Sequence, residues 1–347
     1  MIVNRIRNES ELRKYNIFLA ILRVYLCFNV INSHFLSSRH ILMNKYIIRI
    51  IRNRLHAPIF FLMSFYFSHR LFLSKNIEKI KKRFERLLIP YFAWPIITWI
   101  INNFLYYFFK LNFKITSNNL KIQLMTGHCF MTVLWFQYNL IFATLLFIII
   151  IFLSINYSVS IMINLCIIAF YFQYSNLNYN IFSKYSYFKR YTFGRFFEII
   201  PFCIFGFIIP YLHLIIFLRK YRLYSIYLLL LIFLFLLKFQ IFIYINGFIY
   251  QGIVLVIRSL LVFLIVLLMP YEKITNKYII NIIKIVTSYT SGIYYLHFNV
   301  HRWMKKGIRS IKYGTLSGNI LIYIISYFIS LIGSKIVGKN KYSCLFQ

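Results

Sequence analysis

Apolar residues run through this chain in long blocks separated by short polar gaps, and the blocks exceed the length of a buried strand. A helix that crosses a bilayer needs roughly 17–25 mostly apolar residues. Runs of that kind lie near 15–35, 55–73, 87–109, 130–153, 159–175, 196–217, 223–245, 252–270, 278–300 and 319–337. The second is short and polar at both ends, and the ninth carries Lys284 with several Thr and Ser residues. The longest gaps fall near 36–54, 110–129, 176–195 and 301–318, and none contains a repeat or resembles a soluble domain. The pattern predicts an all-α polytopic membrane protein with about ten transmembrane helices in one bundle. Residues 1–347 form a single membrane domain in this reading, with 1–14 as a short cytoplasmic segment. The first run lacks a small-residue cleavage site, so it is expected to be a retained helix.

Composition strengthens the membrane assignment. Of 347 residues, 61% are hydrophobic and only 13% charged, and the mean hydropathy is +0.71; a soluble domain carries about a quarter charged residues. The net charge of +34 does not mark a nucleic-acid binder, because the basic residues are spread over nearly every gap and a duplex-binding face needs them clustered. The richness in Ile, Asn, Lys, Tyr and Phe is that of AT-rich coding, which accounts for part of the lysine excess. The basic loops suit anionic lipid head groups or a polyanionic ligand. Basic residues divide almost evenly between the two sides of a ten-span arrangement. The densest cluster, KNIEKIKKRFER (75–86), favours that segment and the N-terminus facing the cytoplasm.

The acids narrow the chemistry. All six are glutamate (Glu9, Glu11, Glu78, Glu85, Glu198, Glu272) and aspartate is absent. That excludes a Ser-His-Asp triad or a metal held by paired aspartates. The five cysteines form no C-x-x-C pair, and they are expected to be small buried hydrophobes.

An ionisable side chain at mid-helix in a membrane costs roughly 2.5–3.5 kcal/mol on insertion scales, so it faces a partner or a polar cavity. Arg23, His34, Glu198 and Arg258 fall within or near the end of apolar runs. Eleven helical steps of about 100° end some 20° past three full turns, so Arg23 and His34 share one face about 16 Å apart along the axis. Cys27 and Val30 lie between them. Such a pair is either a structural polar stripe or a cation and an imidazole set at two depths of a site. Glu198 follows Arg195 by three residues, which favours a local ion pair. His297 and His301 have the i, i+4 spacing of a zinc helix but no third ligand or neighbouring Glu, so no metal is expected. His40, His56, His69, His128 and His213 are left as solvated or internally satisfied.

Several segments, taken in order, resemble the membrane acyltransferase 3 family. Its first helix carries Arg and His separated by ten residues, as Arg23 and His34 are. PIFFLMSFYF (58–67) is similar to a Pro-x-Phe-Phe-x-x-Ser-Gly-Phe segment, with Ser64 matching and Phe65 where glycine is usual. KKRFERLLIPYFAW (81–94) resembles an Arg-x-x-Arg-Leu-x-x-Pro-Tyr stretch through Arg83, Arg86, Pro90 and Tyr91. LWFQYNLIF (134–142) resembles a Leu-Trp-Phe segment, PFCIFGFII (201–209) a Pro-Phe-Phe-x-x-Gly helix, and SGIYYLHF (291–298) a Tyr-x-x-His segment. The family often has an acid just before the first motif, where this chain has only the more distant Glu11.

The resemblance implies an O-acyltransferase that moves an acetyl group from acetyl-CoA to a hydroxyl of a polysaccharide or lipid-linked sugar. It implies His34 as general base, Arg23 as its electrostatic partner, and Arg83 and Arg86 as ligands for coenzyme A phosphates. Ser64, Arg258 and His297 are further candidates; the plainer roles are helix packing for Ser64 and interface anchoring for the two arginines. The competing expectations are a transporter or flippase for an anionic glycolipid, which should show internal repeats and Gly/Pro-broken helices, and an inactive family member.

Overall fold

The structure, a computed structural model, describes residues 16–35, 55–110, 114–131, 134–153, 158–174, 195–211, 214–245, 251–270, 274, 276–307 and 316–337. The segment 1–14, the gap 36–54, His40 and His213 lie outside them. Among the described residues every regular element is a helix: α1 (Ile17–Phe35), α2 (His56–Leu73), α3 (Ile77–Phe109), α4 (Ser117–Thr126), α5 (Leu134–Leu153), α6 (Ser158–Tyr174), α7 (Arg195–Tyr211), α8 (Leu214–Lys220), α9 (Arg222–Ile245), α10 (Gln251–Leu268), α11 (Lys277–Ser288), α12 (Thr290–Gly307) and α13 (Leu316–Val337). Three stretches within them, Ile77–Phe109, Leu134–Leu153 and Ser317–Ile336, are long and apolar enough to cross a bilayer. α7 and α8 pass that test together as a bent pair, while α1, α6 and α10 are shorter apolar helices.

Large apolar side chains stay on the outside. Phe142, Leu145 and Ile149 on α5, Leu223, Leu234 and Phe235 on α9, and Phe328, Ile332 and Ile336 on α13 are all exposed. A water-soluble protein does not leave such continuous faces uncovered, whereas lipid covers them without cost. The chain is therefore a helical membrane protein.

Helix limits differ from the apolar runs where local chemistry overrides hydropathy. α3 begins well before its apolar part, because Asn76 caps it by accepting from the Lys79 amide at 3.0 Å and Glu78 sits in the positive first turn. The basic cluster is thus the first turns of α3 rather than a loop. The gap at 110–129 contains α4, capped by Thr116 and closed by Gly127 in the left-handed conformation. The ninth run is broken at Tyr289 (φ −100°, ψ 3°) into α11 and α12.

Two apolar cores meet along α1 and α5. The first joins α1, α2, α5, α6, α7 and α10 through Leu26, Phe61, Phe65, Phe147, Phe207 and Phe263. Its tightest contact lies between α2 and α7, where a Cβ on Gly206 would fall 2.4 Å from the carbonyl oxygen of Leu62. Phe65, standing where the resemblance has glycine, is wholly buried and lies 4.4 Å from the Phe147 ring. The close backbone approach thus uses Gly206 and leaves room for the ring at 65. The second core joins α1, α3, α5, α12 and α13 through Cys27, Ile31, Tyr91, Trp94, Leu134 and Leu296. Directions follow from the pairings: Phe28 meets Tyr323 and Asn32 meets Asn319, so α13 runs antiparallel to α1.

Candidate active site

The polar stripe of α1 meets the start of α12. Arg23 Nη2 donates to Ser291 Oγ at 3.0 Å, and one turn on Cys27 Sγ donates to the Thr290 carbonyl at 3.5 Å. Asn32 accepts from Asn319 Nδ2 at 2.9 Å, tying the other end of the stripe to α13. Arg23 and His34 lie on one unbroken helix, as their spacing requires. The His34 side chain is outside the described residues.

Beside this stripe, three of the motif segments come together as an aromatic cluster. Phe61 on α2 lies 4.4 Å from Phe136 on α5, and Phe136 lies 5.7 Å from Tyr294 on α12; Phe60 lies edge-on to both Phe136 and Tyr294. The guanidinium of Arg195, at the start of α7, stands 4.5 Å over the Trp135 ring, an arrangement favoured by the ring quadrupole; Glu198 is exposed. His297 is fully buried next to Tyr294, and its Nδ1 lies 3.2 Å from the Ile293 carbonyl. A carbonyl only accepts, so this bond places the proton on Nδ1 and the acceptor lone pair of a neutral ring on Nε2. Gln137 closes the cluster towards α3, accepting from the Tyr295 hydroxyl and donating to the Leu87 carbonyl.

The last turn of α4 packs against α3, where the Tyr91 hydroxyl donates to the Leu124 carbonyl at 2.6 Å, and the segment between α4 and α5 folds back from it. One buried side chain holds its backbone: Gln123 accepts from the amides of Cys129 and Met131 and donates to the Met131 carbonyl. Gly127 (φ +65°) makes the turn, and a Cβ there would fall 2.8 Å from Cβ of Tyr138. His128 is thereby fixed beside the cluster. Burial, reinforced by the Arg195 charge, pushes its imidazole down to about 4, so it is neutral at pH 7.

Arg83 and Arg86, one turn apart in sequence, separate in space. Arg86 is exposed. Arg83 turns inward, where Ser64 Oγ (3.0 Å), Thr144 Oγ1 (3.3 Å) and Ser68 Oγ accept from its guanidinium and the rings of Phe65 and Phe72 flank it at 5.7 and 5.5 Å. Ser64 is thus an acceptor for Arg83. Among the described residues no carboxylate accompanies this arginine, so its charge is solvated by hydroxyls and rings alone. Arg258 is 2% exposed on α10 and packs 5.5 Å from the Phe233 ring of α9. His69 bonds the Phe207 carbonyl at 2.9 Å. Among the described residues no three His, Cys, Asp or Glu side chains gather, and His301 lies half-buried one turn beyond His297.

A search by charge overlooks the amides and His128. Their signal was present: Asn102 inside WIINNFLYY, Gln137 and Asn139 inside LWFQYNLI, and Asn299 inside HFNV all interrupt apolar runs. An amide in hydrocarbon also needs a partner.

The fold and this centre define a helical membrane protein with a buried basic, aromatic and amide-lined interior. A family model described as an acyltransferase domain matches residues 16–338, and the chain belongs to the membrane acyltransferase 3 family. Membership makes it an acyltransferase. No curated protein and no solved structure matches it.

Proposed function

We propose that this chain is an integral membrane O-acyltransferase that moves an acetyl group from acetyl-CoA to a hydroxyl of a polysaccharide or lipid-linked sugar. It is a single ten-span domain in this reading, placed in the cell membrane with the basic start of α3 and the N-terminus on the cytoplasmic side. His34 removes the proton of the attacking hydroxyl as the new C–O bond forms. Arg23 steadies the negative charge that develops on the carbonyl oxygen. Collapse of that intermediate breaks the C–S bond, and the proton held by His34 passes to the departing thiolate. The exposed Arg86 and Arg83, one turn nearer the start of α3, bind the phosphates of coenzyme A. The absence of a carboxylate partner at Arg83, among the described residues, supports this role, because no anion of the protein neutralises its charge.

The observation that carries the reading is the docking of Arg23 and Cys27 on Ser291 and Thr290. It sets the first-helix motif against the helix that bears Tyr294 and His297. The test is turnover of acetyl-CoA by the purified protein with a sugar acceptor. His34→Ala is expected to lower kcat by about 10²- to 10⁴-fold, and Arg23→Ala by about 10²- to 10³-fold. A wild-type protein without turnover, or two variants that match it, overturns the assignment.

A further inference from the structure

The helices α3 and α12 are joined by a ladder whose chemistry differs from that of the centre. Trp94 stacks on Tyr295 with centroids 6.1 Å apart. One turn on, Asn299 Nδ2 donates to Thr98 Oγ1 at 2.9 Å, and one turn further Trp303 Nε1 donates to Asn102 Oδ1 at 3.1 Å. Both sets step by four residues in the same sense (94, 98, 102 and 295, 299, 303), so the two helices run parallel and the rungs face each other in register. None of these six side chains is ionisable near neutral pH, and three are aromatic with a polar edge or a broad flat face.

The ladder leaves two of its polar atoms unused. Asn102 and Asn299 are 0% and 1% exposed, yet Asn102 Nδ2 and Asn299 Oδ1 have no hydrogen-bond partner among the described residues. The other atom of each amide bonds across the seam, so the unused atoms lie at the seam as well. A seam built only for packing between helices would satisfy them, because no water in the hydrocarbon does so. One is a donor and the other an acceptor, on adjacent rungs and flanked by Trp94, Tyr295 and Trp303. A neutral ligand with neighbouring hydroxyls and a flat C–H face matches that set: each hydroxyl donates and accepts, and the rings cover the apolar face.

We propose that the α3–α12 seam is the acceptor site and that it binds a neutral pyranose through Asn102 and Asn299. This rests on the reading of the protein as a sugar acyltransferase. The seam lies on the far side of Trp94 from Arg83, and Arg83 to Asn102 spans about 28 Å along α3. Donor and acceptor thus approach from opposite ends of one helix, and the aromatic centre stands between them.

The test uses the full chain in lipid nanodiscs, with methyl β-glucopyranoside, methyl β-galactopyranoside and methyl 2-acetamido-2-deoxy-β-glucopyranoside as probes and cyclohexanol as the non-sugar control. Binding is followed by tryptophan fluorescence, which needs neither donor nor turnover. At least one glycoside is expected to bind saturably, with affinity reduced tenfold or more in Asn102→Leu and Asn299→Leu while the apparent affinity for acetyl-CoA is unchanged. Absence of saturable binding to the wild type, equal affinity in both variants, or an equal response to cyclohexanol overturns the proposal. If the leucine variants do not fold, a diazirine-bearing glucoside must label Trp94, Tyr295 or Trp303 in the wild type, and labelling elsewhere overturns it. Glycoside binding without acetyl-CoA turnover would sink the donor assignment and keep the seam. Turnover with glycoside affinity unaffected by the variants would do the reverse.

Discussion

His128 shows how one backbone choice sets the charge of a side chain. The left-handed turn at Gly127 and the clamp from Gln123 hold it in a half-buried position near Arg195, where the cation is disfavoured. In the unfolded chain its pKa is near 6.5, against about 4 when folded. The unfolded state therefore binds more protons between these values, and stability falls as pH drops from 6.5 towards 4, with no contribution lost above that window. Thermal unfolding in detergent should show this slope, and His128→Asn should flatten it; an identical slope in the variant would assign it to another group. The two arginines of α3 invite a separate measurement. Arg86→Ala should raise the KM for acetyl-CoA about tenfold with kcat little changed, since an exposed cation supplies uniform binding. Arg83→Ala should also lower thermal stability, because it leaves Ser64, Ser68 and Thr144 without their shared donor. A KM unmoved in both variants would leave these residues as helix anchors.

Among the elements, α2 and α7 set the geometry of the centre, since α2 carries Phe60 and Phe61 and α7 begins at Arg195. Gly206→Ala places a methyl 2.4 Å from the Leu62 carbonyl oxygen, a rigid backbone neighbour, and must push the helices apart. It is expected to destabilise the protein by about 1–3 kcal/mol and to lower turnover through the displaced rings. Unchanged melting and turnover would mean that the approach is slack. Helices of this kind are legible as apolar runs; Arg23 and Arg258 stand out because a charge in such a run demands an explanation, and Arg83 only through its motif. The break at Tyr289 was not legible, because hydropathy continues through it. Nor was α4, whose place is fixed by Trp99 and Asn103 bonding the Ile115 carbonyl and by Tyr91 reaching Leu124. The inward turn of Arg83 was hidden for the same reason: its partner Thr144 comes from 61 positions along the chain. Partners of buried polar groups are long-range facts, and a linear pattern records only that a partner is needed.

On the scale of the whole molecule, the parallel pairing of α3 with α12 has a consequence for biogenesis. Helices inserted early carry Asn102, Gln137 and Thr98 into lipid long before Tyr295, Asn299 and Trp303 exist to receive them. The protein therefore passes through synthesis with an unsealed polar seam, and the helices after residue 288 act as its closing piece. A stop after residue 288 should leave a membrane-inserted product that immunoblotting of membranes finds at a small fraction of the full-length level, rescued when residues 289–347 are supplied as a separate chain. Equal abundance of the truncated form would mean that the early helices settle their own polar groups. Residues 289–337 thus act as a checkpoint: the cell can distinguish a copy that has them from one that lacks them by whether Asn102 and Gln137 still face lipid.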